Sequence, residues 1–154
     1  MDINQIINAI GDPIFVKDSN SVFVLVNDAL CKMLGMKRED IIGKTLGESL
    51  PKDQMDHFLE VDRKVLKTGE EDLSEEPLTG ENGKILTINT KKTRFIENDR
   101  KKYLVGLIHD VTDRKIAENK LIEKVDELEK MNKLMINREM KMVELKNELE
   151  RLKK

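Results

Sequence analysis

Apolar and polar positions along the chain change rhythm several times, and each change marks an element. Ile3, Ile6, Ile7 and Ile10 recur at helical spacing and predict a short amphipathic helix, ended by Gly11-Asp12-Pro13. Residues 14–16 and 22–26 are β-rich runs, and Asp18-Ser19-Asn20-Ser21 between them is turn chemistry. Asn27 suits the N-cap of a helix over 28–34, and Gly35 suits the left-handed position after it. A second short helix runs to Ile42 and stops at Gly43. Thr45 and Glu48 then have capping-box spacing, which predicts a third helical turn. Pro51 opens a longer helix in which Met55, Phe58, Leu59, Asp62, Val65 and Leu66 repeat with helical period, closed by Gly69. Three strands are predicted next, within 70–78, over 84–96 and over 101–111. Asn82-Gly83 is a hairpin signal before the second, and Glu97-Asn98-Asp99 leads to the third.

From residue 113 to the end the rhythm is helical and different in kind. Leu121, Leu128, Met135, Met142 and Leu149 recur every seventh position. Met131, Leu145 and Leu152 follow them three residues on, with Arg138 as a breach, and upstream the partner position shifts to Val125. Two apolar positions per heptad make a seam too narrow for a globular core and right for a partner helix. Thr112 is placed to cap this helix, and Asp113 favours its positive end. The predicted organisation is a globular domain over 1–112 and a dimerising coiled-coil helix over 113–154. Helices grouped between two sets of strands, with a hairpin in the second set, indicate α+β.

Composition narrows the function classes. Lysine and arginine number 28 against 30 aspartates and glutamates, a formal net charge of -2, so nucleic-acid attraction is not expected. No apolar run approaches the ~20 residues of a membrane helix. Met1-Asp2-Ile3-Asn4 has no basic stretch before an apolar one, so no secretory signal is expected, and the expected location is the cytoplasm. The single cysteine, Cys31, excludes an internal disulfide and a cysteine-pair zinc site. There is no glycine-rich nucleotide loop, no nucleophile–base–acid arrangement, and no histidine in 113–154 to act as a phosphoacceptor. The chain is expected not to be an enzyme, though it suits the sensor part of a histidine kinase or a similar protein.

Several motifs in order resemble a PAS domain of the bacterial and archaeal signalling type. Ala9-Ile10-Gly11-Asp12-Pro13-Ile14 resembles the entry to the first strand, and Val26-Asn27-Asp28-Ala29 the end of the second strand with its capped helix. Leu34-Gly35 and Ile41-Ile42-Gly43-Lys44 resemble the helical connection, and Asp62, Val65, Leu66, Thr68 and Gly69 the end of the long helix. His109-Asp110-Val111-Thr112-Asp113-Arg114-Lys115 resembles the family's exit motif. The resemblance implies a five-stranded antiparallel sheet with helices on one face, a pocket between them for a cofactor, a metabolite or nothing, and output through the terminal strands. The turn at Glu97-Asn98-Asp99 lacks the glycine often found there, and Lys37 stands where Ser or Thr is common.

Candidate residues follow, each beside its plainer reading. Asp110, Thr112 and Arg114 are expected to couple sheet to helix, with Asp110 pairing to Arg114 and Thr112 capping; the plainer reading is a helix start worth ~1 kcal/mol. Cys31, Phe58, Thr87 and Asn89 are the candidate pocket residues. Against them, Cys31 suits a small core residue and lacks the flavin-site motif. Thr87, Asn89 and Thr90 are polar, and some of them could face the pocket; Thr87 and Asn89 alternate with Leu86 and Ile88, so the set equally suits water. His57 lies one residue from the position of the heme ligand in heme-binding relatives, a rotation of ~100° away from the pocket, so heme is the minor alternative to a small metabolite or no cofactor. No metal site is expected. The reading is a homodimeric sensor module, paired in parallel through its helix and feeding an effector or kinase protein. The alternatives are a scaffold domain with an empty pocket and a heme-based gas or redox sensor.

Overall fold

The computed structural model describes residues 1–153. Along the chain run α1 (Ile3–Ala9), β1 (Ile14–Lys17), β2 (Phe23–Val26), α2 (Asp28–Leu34), α3 (Arg38–Ile41), α4 (Lys52–Thr68), β3 (Asp72–Thr79), a 3-10 turn (Glu81–Gly83), β4 (Ile85–Ile96), β5 (Lys102–Asp110) and α5 (Thr112–Leu152). The five strands form one antiparallel sheet in the order β2-β1-β5-β4-β3. The first and last strands of the domain thus meet at its centre, where Phe15 pairs with Gly106. Pro77, which has no N–H to donate, sits on the edge strand β3, where that is tolerated.

Local chemistry explains the joints. The Asn27 side chain is fully buried and binds five backbone groups. Its Oδ1 accepts from Ile14 and Leu30, while its Nδ2 donates to the carbonyls of Ile7, Ile10 and Asp12. One amide therefore caps α2 and fastens α1 and β1 to it. At the β3–β4 turn, Asn82 and Gly83 take φ of 58° and 72°, the left-handed pair that an Asn-Gly turn adopts readily. At the β4–β5 turn the left-handed residue is Arg100, with φ of 68°, in a turn that lacks glycine.

The third helical turn expected from Thr45 and Glu48 does not form. Gly43 N–H donates to the Phe23 carbonyl and Phe23 N–H to the Lys44 carbonyl, so this segment is tied to the edge of β2 and its backbone groups are engaged there. Leu46 then takes φ of 62° and turns its side chain into the core.

Alternation along the strands divides the sheet into two faces. Ile88, Thr90 and Lys92 on β4 and Leu104, Gly106 and Ile108 on β5 are buried, and α4 covers them: its Asp62 reaches both β1 and β4. Gly106 is required by close approach, because a Cβ there would enter the Phe15 ring.

The chain divides after Thr112 into two compact units. The second is α5, 41 residues and about 60 Å long. None of its residues is buried. Its seam positions Leu121, Val125, Leu128, Met131, Met135, Met142, Leu145, Leu149 and Leu152 are exposed by 48% to 84% in the single chain. Among the described residues no helix is long and apolar enough to cross a membrane.

Candidate functional site

Between the buried face of the sheet and the helices lies a cavity of about 50 Å³. Phe15, Phe23, Leu30, Met55, Phe58 and Ile88 supply apolar wall, while Lys17, Glu76, Thr90 and Lys92 bring polar groups to it. Strand parity places the latter. Lys17 follows Phe15 by two residues on β1; Thr90 and Lys92 follow Ile88 by two and four on β4. Glu76 pairs with Ile88 from β3, so it flanks Thr90 from the neighbouring strand.

Burying two lysines is costly unless they are paired. Asp62, fully buried on α4, pairs with both: Lys17 Nζ is 2.7 Å from its Oδ2 and Lys92 Nζ is 2.9 Å from its Oδ1. The first contact is a hydrogen bond; the second has the distance of an ion pair without hydrogen-bond alignment. Aromatic faces assist, with Lys17 Nζ 4.7 Å from the Phe23 centroid and Lys92 Nζ 5.4 Å from that of Phe58. Burial pushes the Asp62 carboxyl up, but the two ammonium groups outweigh it and hold it below the usual aspartate value. Burial drives Lys17 down; Asp62 pulls it back, Lys92 repels it, and the net shift is downward.

Two cavity-lining atoms are left without hydrogen bonds. Thr90 Oγ1 has none, although the residue is 2% exposed. Glu76 Oε2 has none either, on a residue 6% exposed. His57 Nε2 stands 2.9 Å from that Glu76 oxygen, an ion pair when the imidazole is charged but not an aligned hydrogen bond.

Of the residues expected at the pocket, Phe58 lines it and the others do not. Cys31 packs against the core from α2, while its neighbours Leu30 and Leu34 face the cavity. Thr87 and Asn89 stand on the opposite face of β4, out of parity with Ile88. His57 is half-exposed and turned to Glu76, and it does not line the cavity. Lys17 and Lys92 were not anticipated. Their signal lay in the alternation itself, since each shares the parity of a core residue, as Asp62 shares the apolar stripe of α4.

The exit motif also differs from expectation. Asp110 accepts from Thr112 N–H and from the Thr112 hydroxyl, so the aspartate holds the first residue of α5 in a local turn. The Thr112 hydroxyl also accepts from Thr87 N–H at 3.0 Å, joining the end of β5 to β4. Within α5, Arg114 faces Glu118 one turn on at 3.6 Å, in place of the expected Asp110 pair.

Known proteins place this architecture. A protein of Sinorhizobium fredii described as "Uncharacterized protein y4lL" is 38% identical over 128 residues, 81% of this chain and 16% of that protein. The chain thus spans about a sixth of that relative's length. Among solved structures, the PAS domain of Bordetella pertussis BvgS superimposes with a TM-score of 0.64 at 20% identity, covering 81% of this chain and 95% of that one. Vibrio cholerae VqmA, described as a dimer and a LuxR-type receptor, superimposes with a TM-score of 0.65 at 28% identity, covering 74% of this chain and 53% of that one. VqmA bound to DPO gives a TM-score of 0.64 at 28% identity, covering 74% and 58%. The sheet order, the helices on its inner face and a match of residues 2–111 to the family described as "PAS fold" agree, and the chain belongs to the PAS family.

Proposed function

We propose that this chain is a non-enzymatic signal-sensing module: its PAS unit takes up a small polar molecule in the cavity, and α5 carries the response as one strand of a parallel homodimeric coiled coil. The observation that carries the reading is the Thr90 hydroxyl, deeply buried on the cavity wall with no hydrogen bond, near the Glu76 carboxylate, whose Oε2 has only the unaligned contact with His57. Leaving a buried hydroxyl unpaired costs ~1–3 kcal/mol, a penalty that a ligand removes by bonding to it. VqmA, with its DPO complex, supplies a precedent for small-molecule binding by a related fold.

The output path follows the connectivity. Lys92 and Thr90 belong to β4, β4 pairs along its length with β5, and Thr112 bonds back to Thr87 of β4. A ligand that shifts β4 relative to β5 changes how the chain enters α5. The exposed heptad seam supports pairing of two such helices, and the methionines at 131, 135 and 142 fill space without enforcing one packing. An effector or kinase protein, in the same polypeptide or separate, receives the signal. With a net charge of -2, nucleic acid is not a partner in this reading.

The test combines two measurements on the whole chain. Fractionated small-molecule extract is added while melting is followed, and single cysteines at Leu121, Met135 and Leu149 report crosslinking between helices. A fraction that raises the melting temperature and changes the crosslinking pattern is expected. If every fraction leaves both unchanged, the domain is a scaffold and the sensor reading fails.

A further inference from the structure

From the cavity's charges and its unsatisfied atoms we infer that the ligand is compact and uncharged, with a hydrogen-bond acceptor and an N–H donor on neighbouring atoms, as in a primary amide, lactam or urea. This inference rests on the sensor reading above and specifies its ligand.

The ionisable side chains on the cavity wall and directly behind it cancel: Lys17 and Lys92 are balanced by Glu76 on the wall and Asp62 behind it, with half-exposed His57 outside the cavity against Glu76. A ligand with net charge, of either sign, would leave that charge buried without a counter-ion. A zwitterion would be net neutral, but both its ends would lose hydration against walls of Phe15, Phe23 and Phe58. Size points the same way. A cavity of about 50 Å³ holds a few waters or a molecule of a few heavy atoms.

Donor and acceptor directions come from the strand register. Thr90 occupies the middle, with Lys92 two residues further along β4 and Glu76, which pairs with Ile88, diagonal to it on β3 in the other direction. Lys92 Nζ meets a single Asp62 oxygen at 2.9 Å, and an ammonium has three protons, so protons remain to be given. On the other side, Glu76 Oε2 accepts no hydrogen bond. A molecule over Thr90 therefore meets donors on the Lys92 side and an acceptor on the Glu76 side. An amide satisfies both at once, and the Thr90 hydroxyl can bond to either of its ends.

Acetamide, acetate and acetamidinium have the same shape and differ in charge and in donor–acceptor pattern, and glycine adds the zwitterion. Binding of each to the whole 154-residue chain is read from saturable shifts of backbone amide resonances at Thr90 and Lys92. Acetamide is expected to bind at least fivefold more tightly than the other three. Thr90→Val should weaken acetamide binding at least fivefold while the free protein melts no lower, because the variant removes an unpaired buried hydroxyl. Glu76→Gln should weaken it as well. Preference for acetate, acetamidinium or glycine overturns the inferred class and leaves the sensor reading intact. Failure of all four to give a saturable shift overturns it too, and the extract experiment then judges the sensor reading separately. A Thr90→Val protein that binds acetamide like the parent also overturns it.

Discussion

The two units of this protein treat the same residue types in opposite ways. In the PAS unit, Ile, Leu, Val and Phe fill a core, and even four charged side chains, Lys17, Asp62, Glu76 and Lys92, are buried. In α5 no residue is buried, the apolar stripe stands open to solvent, and the charges form pairs along the surface such as Lys130 with Asp126 at 3.0 Å. The PAS unit builds a core within one copy, although Leu73, Ile85 and Phe95 stay exposed on it; the stripe of α5 is open along its whole length in the single chain, as the proposed pairing requires. The charges teach the same lesson. A buried ion cluster is a structural commitment that fails if one member is lost, whereas an exposed pair contributes little.

The sharpest way to break this contrast is Asp62→Asn. It leaves two ammonium groups buried against a neutral amide, and denaturant unfolding should show a loss of about 3–5 kcal/mol. Replacing the cluster together, Lys17→Met with Asp62→Leu and Lys92→Met, should recover most of that loss. If the single variant is as stable as the parent, the cluster does not hold the unit together.

Acid should reproduce the single variant. Asp62 titrates below its ordinary value in the folded protein, so its contribution is complete above the ordinary aspartate pKa of about 3.9 and is lost as pH falls through the depressed folded value. The stability gap between parent and Asp62→Asn, followed by urea midpoints, should therefore close at the acid end. A gap that stays constant would assign the effect to packing.

Met135→Lys tests the other unit. Charge in the seam should weaken the proposed dimerisation by about 2–3 kcal/mol, roughly thirty- to a hundred-and-sixtyfold, seen by sedimentation, with PAS unfolding unchanged. Equal dimerisation would place any interface outside the stripe. A smaller effect is expected inside the PAS unit for Gly106→Ala, where the new methyl displaces the Phe15 ring, at about 1–3 kcal/mol. The smallest is Lys130→Ala on α5, where loss of the exposed Asp126 pair should change stability by no more than about 0.5 kcal/mol.

Much of the fold was legible in the chain because local chemistry and tertiary structure agree. Asn27 was recognisable as a helix cap, Asn82-Gly83 as a turn and the heptad stripe as one long helix. The segment after Gly43 was not, since its capping-box spacing is overridden by backbone bonds to Phe23, a residue twenty positions away. Polarity alone does not choose the cavity residues of β4. Thr87, Asn89 and Thr90 are all polar enough to bind a ligand, yet Thr87 and Asn89 lie on the outer face, and the inner positions belong to Thr90 and Lys92.

Hydrophobic rhythm, caps and turns are properties of a few neighbouring residues, and so the sequence alone determined the elements, their order and the separation of a globular unit from an amphipathic helix. It did not determine which polar side chains enter the core. A lysine on β1, a lysine on β4 and an aspartate on α4 are far apart along the chain, and although each shares the face of core residues, nothing local supplies the partner that its burial needs. Only packing brings them within ion-pair distance, and only that proximity makes their burial, and the cavity they flank, energetically possible.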